Sequence, residues 1–491
     1  MVAGWTKHGD GKTLAPGEVV RPDERLSWPR MIGFGAQHVI AMFGATFVFP
    51  LVMGLSPNIA IMFSGVATIM FLLIVKGKIP SYLGTSASFV GGVIAIRGFY
   101  GGDTPAADAI VTGSILVVGL ALALVGVAIH YLGVHIINRI FPPVVTGAVV
   151  MLIGFGLAYV VADVYWPQDQ WVALITMLVT FVIIVFFKGF IGRIGILLGL
   201  VFGFLLSLGL DKLAGPITSV LPGQNLRDAT GALCAKEGPY CLATAFSHNR
   251  VGFGDVAKAP WIGIPDFHAP DFKVGAVVLV LPAVIVLIAE NIGHVKAVGE
   301  MTATDVDPYM GRAIIGDGAA TAVASAFGGS PTTTYAENIG VMAATRVYST
   351  AAYYIAAVIA ILFGLCPKFG ALVAATPGGV LGGITVILYG MIGLLGAKIW
   401  TENRVDFSNP INMVPIGAGI ILAIGPVRQT LGPNFFLEGI ALGTIVVVGG
   451  YHLLRAIAPG TGDEPGRTGT ELGSPGQIPG GGTGQRGEAS G

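Results

Sequence analysis

From Met31 to Ala458 the chain alternates long apolar runs with short polar breaks. A helix needs roughly 20 apolar residues to cross the hydrocarbon core, and on that measure the pattern predicts about fourteen transmembrane segments. The first half starts its segments near Met31, Asn58, Pro80, Ala107, Phe141, Asp169 and Gly192. The second half starts them near Lys273, Gly311, Ser330, Ser349, Phe369, Ile411 and Asn434. An odd number of crossings in each half means that related halves would lie inverted in the membrane, a recurrent transporter arrangement. The expected organisation is a cytoplasmic lead-in over 1–30, a first inverted repeat over 31–211 and an extracytoplasmic loop over 212–272. A second repeat over 273–457 and a disordered cytoplasmic tail over 458–491, rich in Gly, Pro, Ser and Thr, complete it.

Two of these segments break the pattern. The third reads Pro80-Ser-Tyr-Leu-Gly-Thr-Ser-Ala-Ser-Phe-Val-Gly-Gly-Val93, and the tenth Gly328-Gly-Ser-Pro-Thr-Thr-Thr-Tyr-Ala-Glu-Asn-Ile-Gly340. Both are short, polar and punctuated by Gly and Pro, and both stand third in their half. Extended backbone at membrane depth survives only where protein or a cavity satisfies its N–H and C=O groups. The expectation is that each segment is part strand and part helix, the strands pairing and each half-helix aiming its N-terminal N–H groups at a common site. The plainer alternative is a pair of kinked helices with Ser and Thr packed inside the bundle.

Composition supports the membrane reading. Apolar residues make up 54% of the chain and charged residues 11%, whereas an ordinary globular chain carries about 25% charged residues. The formal net charge is +0, and no basic stripe points to nucleic acid. Lys and Arg concentrate in the loops after even-numbered segments, as at Lys76, Lys78, Arg139, Lys188, Lys398 and Arg404. That bias places both termini in the cytoplasm. Cys234 and Cys241 share the long loop, where either a disulfide or two free thiols is open.

The acidic residues carry the candidate chemistry. Glu290 lies in Leu287-Ile-Ala-Glu-Asn-Ile-Gly-His294, and Glu337 in Tyr335-Ala-Glu-Asn-Ile-Gly340. A charge at the centre of a membrane helix costs about 2.5–3.5 kcal/mol on insertion scales, so such residues are functional candidates. The alternative is an interfacial position or a structural pair. His294 follows Glu290 by one helical turn and shares its face. Asp317 is a secondary candidate, Lys296 lies near a cytoplasmic end, and Gln37 and His38 are placed to brace the site. Two carboxylates beside free backbone N–H groups suit a ligand whose ring N–H groups flank C=O groups. A metal would want more oxygen ligands, and an anion would avoid the carboxylates. There is no nucleophile–base motif at specific spacing, so an enzyme is not expected.

Several of these motifs resemble the nucleobase/ascorbate transporter family, also called nucleobase:cation symporter-2. Glu337-Asn-Ile-Gly-Val-Met-Ala-Ala-Thr-Arg346 is similar to its tenth-segment signature, Gln37-His38 to its first-segment pair and Glu290-Asn-Ile-Gly-His294 to its eighth-segment acidic motif. Glu337 at the head of the signature, where purine-type members carry Gln, together with Asp307-Pro-Tyr-Met-Gly-Arg312, resembles the uracil or pyrimidine branch. The resemblance implies an all-α fold of fourteen segments in a 7+7 inverted repeat, with a core and a gate domain, in the inner or plasma membrane. It implies a homodimer that imports uracil or a closely related pyrimidine with protons as the coupling ion and without cofactor or metal. It places substrate at Glu290, Glu337, His294 and Tyr335 and at the backbone of Ala87 and Ala336. Proton coupling falls to Glu290, Glu337 and His294, and a supporting network to Gln37, His38 and Asn338. A purine or xanthine permease of the same family, or an anion transporter of the same fold, is the alternative.

Overall fold

The computed structural model describes residues 4–15, 17–100, 102, 104–133, 139–219, 246–425, 427–432 and 435–458. Cys234, Cys241 and the tail beyond Ala458 lie outside the described residues. In the first half the membrane helices are α1 (Trp28–Val52), α2 (Pro57–Ile74), α3 (Val90–Tyr100), α4 (Pro105–Leu132), α5 (Pro143–Gly156), α6 (Gln170–Phe186) and α7 (Gly195–Leu213). In the second half they are α8 (Val274–Val280), α9 (Ala283–Thr302), α10 (Asp307–Ala326), α11 (Ala336–Thr345), α12 (Thr350–Gly364), α13 (Pro367–Ala374), α14 (Gly378–Glu402), α15 (Pro410–Ile424) and α16 (Gly439–Ile457). Their starts follow local chemistry. Ser56, Thr104, Asp169, Ser349 and Asn409 accept a hydrogen bond from a first-turn N–H, and Pro opens α2, α4 and α15.

Among the described residues, 8 helices are long and apolar enough to cross a membrane, or up to 9 if a bent pair counts as one span. The shortfall against the expected number has two causes: α3, α6, α11 and α15 are too short to pass alone, and α10, with Asp307, Arg312 and Asp317, is long enough but too polar. The segment expected from Phe369 is also redrawn. α12 and α13 meet at 82°, and the long helix begins only at Gly378. The break falls at Leu365-Cys366, just ahead of Pro367, which cannot continue α12 but opens α13.

The helices fall into two groups, each packed chiefly within itself: α1–α4 with α8–α12, and α5–α7 with α14–α16. Most pairings have a counterpart in the other half. α4 packs on α10 as α12 does on α2, and α6 packs on α7 as α15 does on α16. Glycines set the closest of these seams. A Cβ on Gly318 of α10 would lie 2.4 Å from the Ala123 N and 2.6 Å from the Gly119 O of α4, so the backbones touch there.

The flanking segments are ordered too. Arg97 is buried against Asp108 (2.6 Å) and the Met53 carbonyl (2.6 Å), which removes it from the loop charges. Arg250, in the long loop, pairs with Asp169 (2.7 Å) and Asp211 (3.2 Å) at the ends of α6 and α7. The same loop then crosses to the other group. The Lys368 N–H donates to the Pro260 carbonyl and the Asp271 N–H to that of Ala109, while Phe267 packs against Phe63 and Phe327.

Candidate functional site

The two polar breaks meet. Strand β1 (Leu83–Thr85) pairs antiparallel with β2 (Thr332–Thr334), Gly84 standing opposite Thr333. The pairing extends at both ends, where the Ser86 N–H donates to the Pro331 carbonyl and the Tyr335 N–H to that of Tyr82. Each strand is also held by a threonine of a neighbouring helix. The Leu83 N–H donates to Thr68 Oγ1 of α2 (2.9 Å), and the Thr332 N–H to Thr321 Oγ1 of α10 (3.0 Å). The strands are buried, and these bonds supply partners that lipid could not.

Both strands then turn into helices. Ala87–Phe89 forms a short 3-10 turn that leads into α3, and α11 starts at Ala336. Two helix N-termini therefore converge, and free first-turn N–H groups suit acceptor atoms of a ligand. The alternative of two kinked helices does not hold.

Glu290 projects from α9 beside these termini. α9 packs against β2, the Ala87–Phe89 turn and α11, and Glu337 is the second residue of α11. The side chains of Glu290, Glu337, His294 and Ala87 are half-buried, and Ala336 is exposed. These residues stand around the strand crossing. Behind them runs a polar chain. His294 Nδ1 meets Thr334 Oγ1 (2.9 Å), the Thr334 hydroxyl donates to Asn291 Oδ1 (3.3 Å), and the Asn291 amide donates to Asp317 Oδ2. Asp317 is thus fully buried one layer behind Glu290.

His38 and Asn338 come together as a pair. The Asn338 amide donates to the His38 carbonyl (2.9 Å) and lies 3.2 Å from His38 Nδ1, and the His38 ring packs on Tyr353 at 4.3 Å. Gln37 stands apart from that pair, its side-chain oxygen buried without a hydrogen-bond partner among the described residues. Tyr335 is buried, with its hydroxyl committed elsewhere: it donates to the Thr85 carbonyl (2.9 Å) and accepts from Thr46 (3.1 Å). The ring lies across Gly84, where an added Cβ would sit 2.4 Å from it. Tyr335 therefore braces the strand crossing.

Sequence reasoning missed Thr46, Thr68, Thr321, Thr334 and Asn291. Thr46, Thr68, Thr321 and Asn291 are single polar residues that helix periodicity treats as tolerable, and Thr334 is one of three threonines in a row. One signal was available, since Thr68 and Thr321 precede the two polar breaks in matching helices of the two halves.

Comparisons with known proteins identify the family. A profile of the permease family that includes xanthine and uracil permeases matches residues 30–432. RutG of Escherichia coli (strain K12), whose name gives it as a candidate pyrimidine permease, is 43% identical over 441 residues, covering 89% of this chain and 92% of its own. The uracil permease of Bacillus subtilis (strain 168) is 32% identical over 460 residues, covering 89% and 94%. Among solved structures, the transmembrane domain of the cyanobacterial bicarbonate transporter BicA superposes with a TM-score of 0.56 at 13% identity, over 87% of this chain and 98% of that one. SLC26A9 gives 0.56 at 12% identity, over 87% and 65%. At such identity the likeness is one of fold. A helical, multi-span chain with this profile match and these relatives belongs to the xanthine/uracil permease family: it is a membrane transporter and not an enzyme.

Proposed function

We propose that this protein carries uracil, or a closely related pyrimidine, into the cell together with protons. The observation that carries the reading is the placement of Glu290 and Glu337 beside two converging helix N-termini. A pyrimidine ring presents N–H donors next to carbonyl acceptors. The carboxylates accept from the ring nitrogens, each charge-assisted bond contributing roughly 1.5–3 kcal/mol. The backbone N–H groups at Ala87 and Ala336 donate to the carbonyls, and His294, held by Thr334, assists. The names of the relatives favour the same substrate class.

Transport follows from movement of one helix group against the other. In this reading α1–α4 and α8–α12 form the core, α5–α7 and α14–α16 the gate. The recurrent pairings of the two halves support fourteen segments in a 7+7 inverted repeat. The loop charges support cytoplasmic termini, and the family resemblance extends to a homodimer. A proton taken up among Glu290, Glu337 and His294 with the site open outward, and released with it open inward, couples the gradient to movement. Two neighbouring carboxylates titrate as a pair, so the proton belongs to the cluster. Two acids at this point disfavour an anion as the substrate, because like charges repel.

The test is uptake of radiolabelled uracil into proteoliposomes with an imposed proton gradient. Accumulation should follow the gradient and vanish in the Glu290→Gln, Glu337→Gln double variant. Competition by xanthine, thymine and cytosine ranks the substrates. Unimpaired uptake by the double variant would overturn the site, and accumulation without a gradient would overturn the coupling.

A further inference from the structure

The segment ahead of the first membrane helix is not a loose lead-in. It folds on itself and docks on the break that follows the second half-helix. Thr6–Lys7 pairs with Glu24–Arg25, and His8 Nδ1 meets Glu24 Oε2 at 2.9 Å. All of this lies before residue 30, where the family match begins.

The docking site is the link between α11 and α12. α11 spans only Ala336–Thr345 and ends at Arg346 in the left-handed region, φ +57°. The chain then runs non-helically to Thr350. Backbone groups of such a link need partners, and the N-terminal segment provides them. The Val20 N–H donates to the Arg346 carbonyl (2.9 Å), the Tyr348 N–H to that of Val20 (2.8 Å) and the Thr350 N–H to that of Pro22 (3.0 Å). The Ser349 hydroxyl donates to the Glu24 carbonyl. Thr350 Oγ1 accepts from Trp5 Nε1 (2.8 Å) and donates to the Pro22 carbonyl (2.8 Å). Around these bonds Val20, Leu26 and Met31 are buried with Val347, Ala351 and Ala352. Trp5 closes the edge against Trp28 and Tyr354, at 6.1 and 5.7 Å.

This arrangement has a consequence for the site. α11 is a short rod of about 15 Å, at 1.5 Å per residue. Glu337 and the Ala336 N–H sit at one end, and the strap-bound link at the other. The geometry points to Trp5 and residues 17–25 as a positioning strap that fixes the far end of α11 and so sets where Glu337 and the Ala336 N–H meet the substrate. The strap rests on the proposed site for its effect on transport, though not for its effect on α11.

The experiment uses the full-length protein with Trp5→Ala, Thr350→Val or Thr350→Ser, and a chain lacking residues 2–25. Uracil kinetics are measured in proteoliposomes well below each variant's melting midpoint. Trp5→Ala, Thr350→Val and the truncated chain should lower kcat/KM by roughly ten- to a hundredfold, the order expected for a misplacement of about 1 Å. Thr350→Ser, which keeps the hydroxyl, should retain most of the wild-type value. Hydrogen–deuterium exchange over residues 336–345 should rise in the same three variants. If the truncated chain does not fold, the point variants decide. Unchanged kinetics with unchanged exchange in Trp5→Ala and Thr350→Val overturns the strap. If the unaltered protein takes up no uracil, that counts against the substrate reading, and the exchange alone then judges the strap.

Discussion

Single polar side chains carry more of the site than their number suggests. Thr334 touches both His294 and Asn291, and through Asn291 reaches Asp317. Thr334→Val keeps the volume but leaves a ring nitrogen and an amide oxygen unpartnered. Each such loss costs about 1–3 kcal/mol. We expect the melting midpoint to drop, because those costs fall on the folded state, and uracil kcat/KM, measured well below it, to fall about tenfold or more, since about 1.4 kcal/mol is one decade. An unchanged kcat/KM would show that His294 does not depend on this contact. At this scale the sequence was only partly legible. Glu290, Glu337 and His294 stood out because charge and imidazole are rare inside apolar runs. Thr334 did not, because it is one of three consecutive threonines in a polar break, and only the strand register brings it to His294.

At the scale of elements, the half-helices were readable and the helix seams were not. Gly and Pro within two polar breaks announced interrupted segments, and β1, β2, α3 and α11 bear that out. The seam of α4 and α10 depends on which glycines face each other, and glycines are so frequent that sequence alone could not choose. Gly318→Leu tests the seam. Its side chain has no room beside Ala123 and Gly119, and overpacking of this kind costs about 1–3 kcal/mol. A lowered melting midpoint in detergent is the expected outcome. Gly390, where an added Cβ meets no atom within 4 Å, is the control, and Gly390→Ala should melt like the wild type. Equal melting of Gly318→Leu and the wild type would mean that the two helices part more easily than the packing implies.

Across the whole molecule, the long loop links the two helix groups. Arg250 fixes it to α6 and α7, and Pro260, Phe267 and Asp271 carry it to the other group. Arg250→Met leaves Asp169 and Asp211 together without their cation. Breaking a buried pair in this way costs about 3–5 kcal/mol, read as a large drop in melting midpoint. Adding Asp169→Asn and Asp211→Asn should recover much of it, because no unpaired charge then remains. A triple variant as unstable as Arg250→Met would show that the arginine acts by packing rather than charge.

Hydropathy alone determined that this chain crosses the membrane many times. The spacing of its motifs alone pointed to the family, because burying a charge or breaking a helix in lipid is costly enough to leave a mark on the linear sequence. Tertiary structure decided the rest. It brought β1 to β2 across some 250 positions (Thr85 to Thr332), set Asp317 behind Glu290 through Asn291, and turned the lead-in into a strap on the far end of α11. Contacts of that kind join hydroxyls, amides and backbone groups. These are cheap to place almost anywhere along a chain, so no local pattern reveals which of them will meet.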